Sequence, residues 1–182
     1  KFISQLDERN SQGLQLDAVR GLAVSKEMIP TKANMDGVSL SSYKTVPPKA
    51  IAYVSDTSRR GDKMSLGFNR TDETFLVSSI STVFITDMKA LLPECLMLYF
   101  SRSEFDRYTR YHSWGSARET VDWEEMCNVH IPIPDIKVQE AIVEIYNAFI
   151  LQKRINEKLK AQITDMCPFL IKGSIEKAQK EA

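Results

Sequence analysis

The stretch Val138-Gln-Glu-Ala-Ile142-Val-Glu-Ile145-Tyr-Asn-Ala-Phe149-Ile-Leu-Gln152-Lys-Arg-Ile-Asn156-Glu-Lys-Leu159-Lys-Ala-Gln-Ile163-Thr-Asp-Met166 divides the chain. Val138, Ile142, Ile145, Phe149, Gln152, Asn156, Leu159, Ile163 and Met166 recur at alternating steps of four and three. That heptad-like period, kept over about four heptads, supports a coiled coil rather than a plain surface helix. At ~1.5 Å per residue the segment would be roughly 45 Å long. Its apolar stripe needs cover, either from the preceding domain or from another helix. Gln152 and Asn156 would place amides in the seam, where a polar residue can fix register at some cost in stability. Pro168 is expected to break the pattern, and the Lys/Glu-rich residues beyond it to be solvated.

Upstream the character is different. Ala50–Val54 is a short apolar run bounded by Pro48 and Asp56, as a buried strand would be. Ser79–Thr86 is dense in β-branched residues and is the clearest strand of the chain. Weaker strands are expected at 14–24, 64–68 and 75–77, and an edge strand at Val129-His-Ile-Pro-Ile-Pro134. Val46-Pro-Pro-Lys49 reads as a turn. Pro93 and Glu94 suit the first turn of a helix, which is expected to continue to about Trp114-Gly115. Trp123–Met126 suits a helical turn. The expectation is an α+β chain: a mixed domain at 1–134, a long helix at 135–167 for dimerisation or spacing, and a tail or linker at 168–182.

Composition bounds the function classes. The chain has 182 residues, 43% hydrophobic and 26% charged, with 24 basic and 24 acidic side chains. That is globular rather than disordered. Net neutrality argues mildly against a nucleic-acid binder, so any basic surface must be local. Cys95, Cys127 and Cys167 are widely spaced among apolar neighbours, as buried reduced thiols in a cytoplasmic protein would be. The longest apolar run is too short for a bilayer, so no membrane association is expected.

Catalytic tools are sparse. The sequence contains neither GxGxxG nor GxxxxGK[ST], and no GxSxG elbow. His112 and His130 lack ligand-spaced partners, so no metal site is expected. Asp87-Met-Lys89 and Asp135-Ile-Lys137 both fit a loose nuclease pattern, and its double occurrence marks it as chance. Neither a catalytic residue nor a cofactor is expected; the residues favour a binding module.

Two loops carry binding chemistry. Thr57, Ser58, Arg59, Arg60 and Lys63 surround Gly61. The stretch Arg107-Tyr-Thr-Arg-Tyr-His-Ser-Trp-Gly-Ser-Ala-Arg118 combines arginines with aromatics and ends in a Gly-Ser-Ala turn. Hydroxyls and backbone amides position on phosphate, and Arg reads guanine bidentately. The competing reading is an amphipathic helix with a solvated Arg face and ordinary surface turns. Arg107–His112 fits the end of a helix whose aromatics pack inward, which leaves the contact role to Trp114, Ser116 and Arg118.

Val24-Ser-Lys-Glu27, Pro30-Thr-Lys-Ala-Asn-Met-Asp-Gly-Val38, Asp56-Thr-Ser-Arg-Arg-Gly-Asp-Lys63, Ser78-Ser79, Leu92-Pro-Glu94, Glu104-Phe-Asp-Arg-Tyr108, Ser113-Trp-Gly-Ser-Ala-Arg118 and Ile131-Pro-Ile-Pro134 occur in that order. The series resembles the specificity (S) subunit of type I restriction-modification systems, over one target recognition domain and the helix after it. The resemblance implies a non-catalytic reader of double-stranded DNA. Such a reader recruits modification (methyltransferase) subunits and, in the full nuclease, restriction subunits, which hold the catalysis. A full S subunit has two recognition domains and two antiparallel helices. One of each here implies a fragment, or a half-subunit that homodimerises through its helix and reads a split site. The resemblance also adds Lys32 and Asn34 as weaker DNA-contact candidates. The alternatives are a coiled-coil interaction module without a DNA role, or a degenerate methyltransferase or nuclease domain.

Overall fold

A computed structural model describes residues 2–56, 63–115 and 119–180, with side chains described as far as residue 168. The chain divides into two compact units, Lys1–Gln139 and Glu140–Ala182. Strands and helices are both present and not alternating, so the fold class is α+β.

The first unit is built on an antiparallel sheet. Its strands are β1 (Ile3–Leu6), β5 (Ile51–Val54), β6 (Leu66–Phe68) and β8 (Ser81–Thr86), in the order β1-β8-β5-β6. Two small ribbons pair β2 (Arg20–Leu22) with β3 (Met28–Pro30) and β4 (Lys44–Val46) with β7 (Phe75–Val77). The register sets Ile51 opposite Phe84 and Ala52 opposite Val83. Alternation along β5 then separates two cores. Ile51, Tyr53 and Phe84 face one that includes Leu96, Phe100, Phe105, Val121 and Met126. Ala50, Ala52 and Val83 face the other, with Val46, Phe75 and Val77. The four-stranded sheet is therefore a middle layer, helices on one face and ribbons on the other. Gly67 in β6 lies so close to β3 that a Cβ there would meet Met28 Cγ at 2.7 Å and Met28 N at 3.0 Å.

The expected helix from Pro93 is two helices. α1 spans Pro93–Phe100 and α2 spans Ser103–Tyr111. Ser101 Oγ donates to the Met97 carbonyl at 2.7 Å, and Arg102 adopts an extended backbone. This break lets Phe105 stack on Phe100 with ring centroids 4.2 Å apart. α3 (Trp123–Cys127) is capped by Asp122, whose Oδ1 accepts from the Glu125 amide at 2.8 Å. Residues 129–134 form no strand; Val129, Ile131 and Ile133 pack on the core without a ladder, because Pro132 and Pro134 have no N–H to donate. The 14–24 segment reduces to a 3-10 turn at Leu16–Ala18 followed by β2. Cys95 and Cys127 are half-buried, but Cys167 is exposed, contrary to the expected burial.

α4 runs Ile136–Lys180 with Pro168 inside it, so proline does not end the helix. Proline deletes a single backbone donor, and the bonds on either side suffice to carry the helix on. Its first turn is fixed by Gln139, a fully buried amide. Gln139 Oε1 accepts from the Leu92 amide at 2.9 Å, and Nε2 donates to the carbonyls of Ala90 and Pro134, each at 2.8 Å. In the second unit the helix leaves its stripe uncovered: Ile145 is 72% exposed, and Phe149, Leu159, Ile163 and Met166 are exposed as well.

A second buried polar group joins three segments. Lys26 Nζ is ion-paired with Asp106 Oδ1 and donates to the Met64 carbonyl at 2.8 Å, while the Met64 amide donates to the same Asp106 oxygen at 3.1 Å. Burial holds the Lys26 ammonium below the ordinary lysine range, although Asp106 beside it works in the opposite direction.

Two expected outcomes test this packing. Gln139→Leu keeps the volume but strands the Leu92 amide and two carbonyls, so it should lower stability by about 2–3 kcal/mol, read as a denaturant midpoint shift with faster hydrogen exchange at Leu92. Gly67→Ala drives a methyl into the Met28 backbone and should lower stability by about 1–3 kcal/mol; an unchanged melting temperature would contradict the contact.

Candidate nucleic-acid interface

Of the ten residues proposed above for DNA contact, Thr57, Ser58, Arg59, Arg60, Ser116 and Arg118 lie outside the described residues. Lys32, Asn34, Lys63 and Trp114 lie within them. The residues that flank the two loops are joined. Ser55 O accepts from the Val121 amide at 2.9 Å, and Asp56 bridges Thr120 in antiparallel fashion. Trp114 and Thr120 exchange both backbone bonds, at 3.1 and 2.9 Å. Residues 55–56, 120–121 and 114 thus form a small ladder at the end of β5, and both candidate loops leave from it. Gly115, immediately beyond, has φ +138°, a conformation L side chains rarely adopt.

The far side of the first loop is fixed by the buried Lys26–Asp106 pair, which engages both backbone groups of Met64 next to the exposed Lys63. Asp106 belongs to α2, and α2 leads into Trp114. The two loops are therefore tied at both ends of the first: through 55–56 to 120–121, and through Met64 to α2.

The exposed side chains around this base are mixed: aromatic Trp114 and Tyr111 and basic Lys63 and Arg107, with acidic Glu104 and Asp122 among them. Trp114 is 68% exposed. Tyr111 is 79% exposed, which corrects the expectation that the α2 aromatics pack inward. Of the aromatics in that helix only Phe105 is fully buried; Tyr108 is half-buried, with its ring tilted against His112 at a centroid distance of 4.2 Å. The Arg107 side chain is 76% exposed, with Glu104 at 3.8 Å. Arg110 is ion-paired with Glu119, which holds the end of α2 beside the second loop. His112 Nδ1 lies 3.4 Å from Glu125 Oε2, tying the same helix end to α3.

Lys32 and Asn34 are exposed on another loop. The Asn34 carboxamide accepts from the Asp36 amide at 3.0 Å, and Met35, Gly37 and Val38 of that loop line a shallow groove with Asn10, Leu14 and Leu16.

Sequence reasoning missed Tyr111, Lys26 and Asp106. A buried lysine carries no local signature, because its partner is eighty residues distant. Tyr111 follows the apolar face by spacing alone, and only the break at Ser101–Arg102 sets where α2 points. Among the described residues no group of three or more His, Cys, Asp or Glu could hold a metal ion, and no helix is long and apolar enough to cross a membrane.

Comparison with known proteins gives three results. A chain from a structure of complex assembly and conformational transition of the type I R-M system has 14% identity and a TM-score of 0.46, over 65% of this chain and 27% of that one. The present chain thus spans about a quarter of that chain's length. A search of curated proteins finds no match. A family model for the type I restriction modification DNA specificity domain matches residues 42–165, well over half of the chain, and takes in the paired loop bases, the helices and the stripe as far as Ile163. The chain belongs to the type I restriction modification DNA specificity domain family.

Proposed function

We propose that this chain reads one half of a bipartite target in double-stranded DNA and brings modification subunits, with restriction subunits in the full nuclease, to that site. The carrying observation is the small ladder that joins the bases of the two loops, 55–56 with 120–121 and Trp114 with Thr120. Loops rooted side by side can follow one groove. In this reading residues 1–134 are the recognition domain. Lys63, Arg107, Tyr111 and Trp114 flank the contact surface, and Thr57, Ser58, Arg59, Arg60, Ser116 and Arg118 supply hydroxyl and guanidinium contacts. Arg would read guanine edges while Lys and the hydroxyls position on phosphate.

Catalysis belongs to the partner subunits in this reading, and the cytoplasm is where the complex meets DNA. Residues 135–167 set the spacing and the partner. The exposed stripe of α4 supports a homodimer: a second copy, antiparallel, would cover it and rebuild a two-domain reader with a palindromic split site. Gln152 and Asn156 would hold the register.

The reading has four measurable consequences. Arg118→Ala should weaken specific duplex binding by about 1–3 kcal/mol and relax preference at one base position, with the melting temperature changed by no more than a few degrees; equal loss of stability would make Arg118 structural. Lys63→Ala should weaken all sequences alike and lower the salt slope by about one. Ile142→Asp with Ile145→Asp should convert a dimer to a monomer in light scattering, whereas a monomeric wild type would remove the dimer and leave a lone reader. Methylome sequencing of cells expressing the chain with its modification subunit should show a split motif, and a methylome without one would reject the function.

A further inference from the structure

We propose that the Lys26–Asp106 pair is the positioning device that registers Lys63, through the backbone of Met64, against the exposed edge of α2. The inference rests on the DNA-reading role proposed above.

The geometry is unusual for a pair that merely fills space. Lys26 enters from the β2–β3 turn in the left-handed backbone region, φ +65°, with its amide donating to the Ala23 carbonyl at 3.1 Å. Its side chain is 7% exposed and that of Asp106 12% exposed. The two charges are used on one residue's backbone: Lys26 takes the Met64 carbonyl and Asp106 the Met64 amide. The Met64 side chain is buried in the helix-side core with Phe105, the residue just before Asp106. The Lys26 ammonium also lies 5.7 Å from the Phe105 ring centroid.

A buried ion pair seldom stabilises a fold more than apolar residues of equal volume, because desolvation offsets the attraction. What it supplies is directional: a shift in the 63–64 segment would leave the ion pair intact but strand both backbone groups of Met64. Lys63 is adjacent to the clamped residue and is charged like Lys26, which it disfavours electrostatically. Asp106 sits one position before Arg107 and five before Tyr111, both exposed on α2. One clamp therefore fixes the spacing between a cation on one loop and a cation and an aromatic on the helix. A phosphate contact at Lys63 carries no sequence information itself but sets the register in which Arg107 and Tyr111 meet the bases, so a loosened clamp keeps general affinity and blurs what those two residues discriminate. Lys26 and Asp106 contact no base themselves; they are positioning residues.

The test uses the full chain with its modification subunits and a duplex pool of randomised sequence. The variants are Lys26→Arg and the double variant Lys26→Met with Asp106→Asn, which keeps an acceptor for the Met64 amide while removing both charges. Selected sequences are read for enrichment. Affinity is then measured for the duplex the wild type enriches and for a scrambled duplex, well below each melting temperature. The double variant should bind the enriched duplex about tenfold more weakly, the scrambled duplex within about twofold of wild type, and should select a flattened motif. A purely structural pair would lower the melting temperature and leave the enriched-to-scrambled ratio intact, which overturns the inference. If the double variant does not fold, Lys26→Arg decides: its bulkier planar head keeps the charge but cannot occupy the ammonium's buried position without moving Met64, so the ratio should fall when measured well below its lowered melting temperature, and an unchanged ratio again overturns the inference. A wild type that enriches no sequence rejects the DNA-reading role itself, and this inference falls with it.

Discussion

Strand β5 is buried on both faces, and that constraint orders the rest of the molecule. Ile51 and Tyr53 serve the helix-side core while Ala50 and Ala52 serve the ribbon-side core. A strand buried in this way must have every backbone group paired, and β8 and β6 supply the pairs on either edge. Both neighbours are thereby fixed in register, and the small Ala side chains let the ribbons approach closely. Where β5 ends, at Ser55 and Asp56, the chain is already committed in position and direction. The partners it meets there, Thr120 and Val121, lead into the cap of α3, so the sheet hands its geometry on to the segment after α2.

Much of this was legible in the sequence because the signals are local. The apolar run at 50–54, the β-branched run at 81–86, Pro93 with Glu94, and the four-three stripe from Val138 each rest on the spacing of neighbouring residues. The parts that were not legible depend on distant residues. The break at Ser101–Arg102 goes with the stacking of Phe105 on Phe100, a contact that no local propensity encodes. Ile131 and Ile133 alternate as a strand does, but Pro132 between them and Pro134 after them have no N–H to donate, and the segment is held by packing instead. Lys26 and Gln139 look like surface residues until their acceptors arrive from residues dozens of positions away. At the candidate site the exposed Trp114 turn was legible from its Gly115, whereas the outward Tyr111 was not.

Electrostatics at the proposed interface act at short range. With equal numbers of acidic and basic side chains, the chain has little net field to draw DNA in from a distance. Several of its cations are also already paired: Arg110 with Glu119, Lys49 with Glu94, and Lys44 with Asp7. Exposed Lys63, and Arg107 with only the long 3.8 Å contact to exposed Glu104, therefore carry weight out of proportion to their number. A reader of this kind would depend on its partner subunits for much of its general affinity and contribute discrimination.

The ladder beneath the two loops is made of main-chain groups: the Ser55 carbonyl, the Val121 amide, and both backbone groups of Trp114 and Thr120. Main-chain bonds are indifferent to side-chain identity. Substitutions within 57–62 and 116–118 leave that ladder chemically unaltered, and doubling the length of a flexible connection adds only about 0.6 kcal/mol of closure entropy. The scaffold is in this sense evolvable. Substitutions in a few short segments can present new surfaces while the sheet, the helix clamp and α4 keep the frame folded.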